Sequence, residues 1–595
     1  MGGRMSAQTA MPVKTWGSPD EHLVLVDDVK ALRQAVHDEM ELIGCGFHQH
    51  RVVTILGFGN VADAVEILAI GYILTVYEDS EGAMTPWESS LLTAAVFVGM
   101  LGGGLVGGVA GDVYGRKPVL VTTLAINAVA AFLSAFSPNI YWLIFFRATA
   151  GLGVGGVVAS LFALCLEHVP VSARGRYVTI LCSFWMVGAV LTAGTAWVML
   201  GKYSNGERIL ELSWRWFAGV VGLPSFTCFV LALWYVPESP HFLASKGDAQ
   251  GATAVLQYIH GVHQSGRRIQ LKFSSADGDT DEDKDAKIAR KMEGGARREA
   301  NETDDSVEPH NAICSRDSLR IVARLFERPN AGPTLLLMLC GFSLSFGSYG
   351  LSTWITKLFA SAGLANPFEN AFLFAGANLP GNAVSLYLID IIGHQRLLSG
   401  ALFMSGFCAL LFAFNVEGSK TIIVLVSCLF NACTTAAWNG VRTLRFGVLS
   451  AENFPQELRT TGISMVNCSN RVAAITAQFV NGFLMGPPPH LEALLLVTTT
   501  VMCTGGIASR WIARGGGDDI DAISKSDSSE DVEADPEDSP SLRGGDDERE
   551  HAGLIRHDAL LHEKKHSPKR DTKDRQAIDK KLVQRTSAER LDASD

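Results

Sequence analysis

The sequence predicts an all-α membrane protein of about twelve transmembrane helices arranged as two parallel, repeated six-helix halves. Three observations predict it. Of the 595 residues, 48% are hydrophobic and 19% charged. The mean hydropathy of +0.19 therefore averages long apolar runs with very polar stretches. Those runs reach the roughly 20 residues that a bilayer-spanning helix needs. Finally, two short patterns each occur twice, in the same order. Gly111-Asp112-Val113-Tyr114-Gly115-Arg116-Lys117 returns as Ile389-Asp390-Ile391-Ile392-Gly393-His394-Gln395-Arg396. Glu167-x-x-Pro170-x-x-x-Arg174 returns as Glu452-x-x-Pro455-x-x-x-Arg459, each copy about 280 residues after the first. A parallel repeat of two membrane halves is a transporter plan.

Spans are expected near 52–76, 90–111, 118–137, 140–166, 177–200, 215–236, 332–360, 368–389, 397–415, 420–446, 461–485 and 490–513. They divide the chain into a first bundle at 51–240 and a second at 332–513. One soluble core does not hide so many long apolar helices joined by short turns. The N-terminal segment, 1–50, carries Val26, Val29, Leu32, Ala35, Val36, Met40 and Ile43 at spacings that suit a short amphipathic helix lying on the cytoplasmic face. The central connection, 241–331, and the tail, 514–595, hold most of the excess acid behind the net charge of −11. Segments this polar bury too little apolar surface to fold alone, so both are expected to be largely disordered.

Basic residues resist translocation, so loops rich in them stay in the cytosol. Arg116, Lys117, Arg174, Arg176, Arg396 and Arg459 all fall on one side, opposite an outward loop with Glu78, Asp79 and Glu81. Both termini are thus expected to be cytosolic, in the plasma membrane or an endomembrane. Residues 1–50 show no charged start with a compact apolar core and cleavage site, so the first span is expected to direct insertion. The Asn301-Glu302-Thr303 sequon lies in the predicted cytosolic connection and is expected to stay unmodified. The cysteines, mostly inside apolar runs, have no disulfide or metal-ligand spacing and read as packing residues.

Several polar residues lie within the spans. Asp63 and Glu66 sit three apart in the first span and share a helix face with Asn60. Carboxylates at that depth are kept where they meet a cavity, a counter-charge or a proton. Two readings stand: an acid that couples protons or solute, or a static ion pair. The glycines 151, 153, 155 and 156, and 102, 103, 104, 107 and 108, lack the strand and acid of a dinucleotide site and read as close helix-packing faces. In the second half, Asn431, Thr435, Trp438, Arg442 and Arg445 follow one face, and Asn467, Arg471, Gln478 and Asn481 another. Arg471, near mid-span, is a candidate for an anionic solute or a counter-charge, whereas Arg445 suits a snorkelling anchor. Trp185, Tyr349, Trp354 and Trp438, with Asn439 and Arg442, are candidates for a solute surface because each ring pairs an apolar face with a donor. No catalytic motif, phosphate loop or metal-ligand cluster is present, so neither enzyme activity nor a cofactor, metal or nucleic-acid partner is expected.

Asp112, Gly115, Arg116 and Lys117, with Gly107 one place out of register, resemble the loop signature G-x-x-x-D-x-x-G-R-K/R of the major facilitator superfamily. Arg147-Ala-Thr-Ala-Gly151, Glu167-His-Val-Pro170 and Pro237-Glu238-Ser239-Pro240 resemble its sugar-porter-like branch. Ala62-Asp63-Ala64-Val65-Glu66, Phe184-Trp185-Met186-Val187-Gly188, Leu379-Pro380-Gly381-Asn382 and Ala437-Trp438-Asn439 resemble the synaptic vesicle glycoproteins and their relatives. The chain departs from those glycoproteins in having only a short link near 361–367 where they insert a lumenal domain. The resemblance implies the major facilitator fold and an alternating-access carrier of a small organic solute, an organic anion or a sugar-like molecule, coupled to protons. It further implies that Arg147 pairs with Asp63. The loop residues Asp112, Gly115, Arg116, Lys117, Glu167, Arg174, Asp390, Glu452 and Arg459 would gate the cytoplasmic side, Arg116 pairing with an acid across the halves. His394-Gln395 weakens the second loop copy. The other class is a non-transporting receptor or vesicle-sorting protein, for which Glu550-x-x-x-Leu554-Ile555 resembles a signal read by a sorting adaptor.

Overall fold

The computed structural model describes residues 14–16, 21–26, 28–201, 203–204, 207–208, 213–262, 268–273, 323–327, 330–450 and 456–527, with side chains outside the description at 14–25, 203–208, 268, 390, 442–460 and 513–527. Helix α1 (Val29–Ile43) leads into the first span, α2 (Phe47–Glu81), then α3 (Pro86–Tyr114), α4 (Arg116–Ser134), α5 (Ile140–His168) and α6 (Arg174–Leu200). The sixth span is two helices, α7 (Trp214–Val221) and α8 (Leu223–Tyr235), parted where Pro224 has no N–H to continue the ladder. Two short helices follow, α9 (Pro240–Ser245) and α10 (Ala249–Val262). The second half holds α11 (Ala331–Ser361), an eighth span broken into α12 (Pro367–Gly376) and α13 (Asn378–Ile392), then α14 (His394–Phe414), α15 (Lys420–Ser450), α16 (Gln456–Leu484) and α17 (Leu491–Asp527).

Among the described residues, 11 helical segments are long and apolar enough to cross a membrane. The remaining expected span is α16. It is less apolar because Asn467, Arg471, Gln478 and Asn481 make one of its faces polar; the later part of that face turns inward, where Gln478 and Asn481 are buried and Asn481 Nδ2 donates to the Gly350 carbonyl at 2.9 Å. Local chemistry sets the helix ends. Thr85 accepts from the Glu88 amide at 3.2 Å, and the Glu88 carboxylate accepts from the Thr85 amide at 3.0 Å, a reciprocal cap that starts α3. At the repeated motif, Gly115 and Gly393 have φ of +109° and +81°. Each reverses the chain between two spans in a conformation that L side chains avoid, which explains the glycine in both copies.

The second and fourth spans pack through backbone. A Cβ at Gly107 would lie 2.6 Å from the Gly156 Cα, and Cβ atoms at Gly99 and Gly103 would overlap the carbonyl oxygens of Ala148 and Leu152. The contact row is therefore Gly99, Gly103 and Gly107, each four residues apart, against Gly151, Gly155 and Gly156. Gly102 and Gly108, which the sequence places in this face, have open space around them.

The described motif loops, 111–117, 167–174 and 389–396, lie on one face of the bundle, the motif face; the opposite one is the far face. On the motif face the N-terminal segment folds with the segment after span six. Strands β1 (Lys14–Trp16) and β2 (Glu21–Val26) pair antiparallel, and β2 pairs parallel with Arg268–Phe273. Leu32, Val36 and Met40 of α1 bury against Leu256, Ile259, Ile269 and Leu271. This cap corrects two expectations. The apolar stripe of α1 packs on protein, and residues 240–273, part of a connection expected to be disordered, supply two helices and a strand. The two segments order each other because each carries half of one small core. The rest of the connection from 274 to 322, the sequon and the sorting-like motif lie outside the described residues.

Candidate functional site

The deepest charges of the first bundle are paired. Arg147 Nη1 donates to Glu66 Oε2 at 2.8 Å with neither side chain exposed. Its Nη2 donates to Ser134 Oγ at 2.5 Å and to the Ala131 carbonyl at 3.3 Å. Helices α2, α4 and α5 thus meet at one guanidinium. The expected partner was Asp63, and the structure corrects it to Glu66. Arg147 enters α5 from the far face, and Glu66 lies one turn nearer that face than Asp63. Asp63 is itself buried, 6% exposed. On the same stripe Asn60 Nδ2 donates to the Leu181 carbonyl of α6 at 2.8 Å. Glu66 Oε1 and Arg147 Nε are buried without a hydrogen-bond partner among the described residues.

Between the halves lies a narrow cavity of about 10 Å³, room for one water. The first half contributes Leu68, Tyr72, Trp185 and Ala189; the second contributes Ser352, Ile355, Phe374, Ala375, Asn378 and Asn431. The break of the eighth span at Ala377 brings Asn378 here. Its Oδ1 accepts from Thr435 Oγ1 at 2.6 Å, and Asn431 Nδ2 donates to the Phe374 carbonyl at 2.6 Å. Of the expected solute residues, Trp185 lines this cavity. Tyr349 stands between Phe97, at 5.4 Å, and Trp438, at 5.8 Å, and Trp438 donates to Ser348 Oγ at 3.2 Å. Asn439 Nδ2 donates to Ser385 Oγ at 2.6 Å and Asn382 Oδ1 at 2.8 Å, tying α15 to α13. Trp354 is fully buried and donates to Gln478 at 2.8 Å. The Arg442 side chain lies outside the described residues. Half-buried Arg471 reaches across the halves, its Nη1 at 3.5 Å from Met100 Sδ. Tyr72 and Phe374 gave no sequence signal, since aromatic rings inside apolar runs look like any core. Asn431 was visible in its polar stripe.

The seam between the halves is shut toward the far face. A Cβ at Gly71 would overlap the Thr353 carbonyl, and one at Gly482 would overlap Ser90. Trp197 stacks on Phe372 at 5.5 Å, and Lys357 Nζ meets Glu78 Oε1 at 2.6 Å. Among the described residues, the charge pairs on the motif face stay within the first half. Arg116 pairs with Asp112 at 2.5 Å and Glu167 at 3.4 Å. The Glu238 carboxylate accepts from the Arg116 and Lys117 amides, both at 3.2 Å, capping α4. A Cβ at Gly115 would collide with that carboxylate. Arg174 Nε donates to the Leu166 carbonyl at 3.0 Å. In this conformation, shut at the far face, Asp112 and Glu167 of its own half take the donors of Arg116. The side chains of Asp390, Glu452 and Arg459 lie outside the described residues.

The family described as sugar (and other) transporter matches residues 58–491. The chain belongs to that family. This transporter is 27% identical over 490 residues to organic cation/carnitine transporter 7 of Arabidopsis thaliana, covering 80% of this chain and 93% of that one. It is 24% identical over 609 residues to human synaptic vesicle glycoprotein 2C, covering 81% of each, and 26% identical over 466 residues to the niacin transporter NiaP of Acinetobacter baylyi, covering 78% and 93%. In fold it is similar to the xylose transporter XylE of E. coli in a partially occluded inward open conformation, with a TM-score of 0.56, 16% identity and coverage of 78% and 99%. This transporter is therefore a multi-pass membrane protein of the major facilitator superfamily, whose members carry out secondary transport.

Proposed function

We propose that the chain carries a small organic solute, an organic anion or a sugar-like molecule, by alternating access coupled to protons. The observation that carries this reading is the Glu66–Arg147 pair. It is fully withdrawn from solvent, and Glu66 Oε1 is left without a hydrogen-bond partner among the described residues. A buried carboxylate oxygen of this kind is a place for a proton, and protonation would release the guanidinium that joins three helices. Asp63, one turn away, is the second acid of the pathway. Arg471 supports an anionic solute, because its described polar contact is a thioether, a weak acceptor that leaves the charge to attract a carboxylate. The relatives named for carnitine, niacin and xylose agree with a small organic cargo. On this reading the basic motif face is cytosolic, with both termini there.

The test is uptake into proteoliposomes of organic anions and sugars under an imposed proton gradient, comparing the natural chain with Asp63→Asn and Glu66→Gln. Accumulation driven by the gradient and lost in either variant is expected. Gradient-independent exchange that survives both substitutions overturns the proton coupling. Silence across the solutes, from folded protein, favours the receptor or sorting reading that the synaptic vesicle glycoprotein relatives raise.

A further inference from the structure

We propose that Glu78 and Lys357 form the lock of the far side, a charge pair on the pseudo-symmetry axis whose making and breaking sets the balance between the two access states. The proposal rests on the alternating-access reading above.

Lys357 Nζ and Glu78 Oε1 are 2.6 Å apart, with side chains 16% and 24% exposed. Among the described residues this is the only ion pair that joins the two halves; Arg116, Arg147 and Arg215 each find their acids within the first. The two residues are separated by 279 positions. That is the spacing of the internal repeat, about 280 residues, so Glu78 and Lys357 occupy equivalent places near the ends of equivalent helices, α2 and α11. Equivalent positions in a parallel repeat face each other across the pseudo-two-fold axis. Two copies of one charge there would drive the halves apart, and opposite charges draw them together.

The surroundings make the pair a lock. One to two turns below it, backbone meets backbone where Gly71 abuts the Thr353 carbonyl, so the far ends of α2 and α11 cannot part while this crossing stays closed. Lys357 also lies over the Trp354 ring at 5.5 Å, and Trp354 is tied to Gln478 of α16 at 2.8 Å. The ammonium is thereby held within its own half by a cation–π contact and can leave Glu78 without leaving its seat. No matching pair across the motif face exists among the described residues, so the conformation seen here is the one this lock favours.

The test follows the distance between the far ends of the halves by single-molecule energy transfer. Fluorophores are attached through unnatural amino acids at the exposed positions Phe136 and Phe414, in the full chain in nanodiscs. Glu78→Gln and Lys357→Gln are each expected to raise the ratio of far-open to far-closed molecules about fivefold. The exchanged pair, Glu78→Lys with Lys357→Glu, is expected to return it to within about twofold of the natural chain, because position on the axis makes the two signs interchangeable. Single variants that fold and leave the distribution unchanged overturn the proposal, as does an exchanged pair as displaced as the singles. If Glu78→Gln fails to fold, Lys357→Gln and the exchanged pair decide. Distances are read without solute flux, so failure of the lock and failure of the transport reading remain distinct.

Discussion

Glu66 and Arg147 meet at 2.8 Å with no solvent exposure on either side chain. Removing the acid alone leaves a guanidinium buried with only Ser134 and a carbonyl as partners. Glu66→Ala is therefore expected to cost about 3–5 kcal/mol, whereas replacing both by apolar residues of similar volume, Glu66→Leu with Arg147→Met, is expected to cost far less. Thermal unfolding of the purified variants in detergent checks the order. A double variant no more stable than Glu66→Ala would show that the charges themselves hold α2, α4 and α5 together.

The backbone contact between the second and fourth spans gives a sharp contrast within one helix. Gly103→Ala drives a methyl group into the Leu152 carbonyl and is expected to lose about 1–3 kcal/mol, while Gly102→Ala points into open space and is expected to be neutral. The same unfolding measurement compares them.

His241 makes docking of the cap dependent on acid. Burial first, then Arg174 and the rings of His37 and His168, hold its pKa down at about 4 from 6.5. The released ring accepts a proton below pH 6.5 that the docked ring refuses until about 4. Docking is therefore strongest above the upper value and weakens as pH falls toward the lower. Hydrogen exchange of Val29–Ile43, corrected for intrinsic rates, is expected to speed up over that window in the natural chain and to do so less in His241→Gln. The His260–Glu39 contact, at 3.2 Å, also ties α1 to α10 and is left in place by the single substitution.

Arg471 is expected to discriminate by charge. Arg471→Gln should weaken binding of an anionic solute by about 10-fold or more, with a neutral sugar much less affected, because a charged hydrogen bond contributes about 1.5–3 kcal/mol. Equilibrium binding of both solute classes to the purified protein checks it; equal losses for both would assign Arg471 to packing.

What could be read from the chain alone follows from which forces are local. Apolar runs announce spans because each run must match the bilayer by itself, and the repeated glycine announces a turn because only its φ of +109° or +81° closes the loop. Choosing between Asp63 and Glu66 as the partner of Arg147 needs the axial level of α5 against α2, which no pattern within either helix encodes. Glu78 looked like one acid of an outward loop with Asp79 and Glu81, yet it is the last turn of a helix facing a lysine 279 positions away. Two aromatic walls of the cavity, Tyr72 and Phe374, were hidden for the opposite reason, since they satisfy the same periodicity as lipid-facing residues.

The parallel pairing of Glu21–Val26 with Arg268–Phe273 also fixes an order of manufacture. The earlier strand leaves the ribosome about 250 residues before its partner, a wait on the order of ten seconds or more at ordinary synthesis rates. All six helices of the first bundle must be threaded into the bilayer in that interval. Until then Leu32, Val36 and Met40 lack the partners that bury them, Leu256, Ile259, Ile269 and Leu271. Closure of the cap thus comes only after the first half has been made, and a chain arrested before residue 268 would keep that stripe of α1 without the strand that completes its cover.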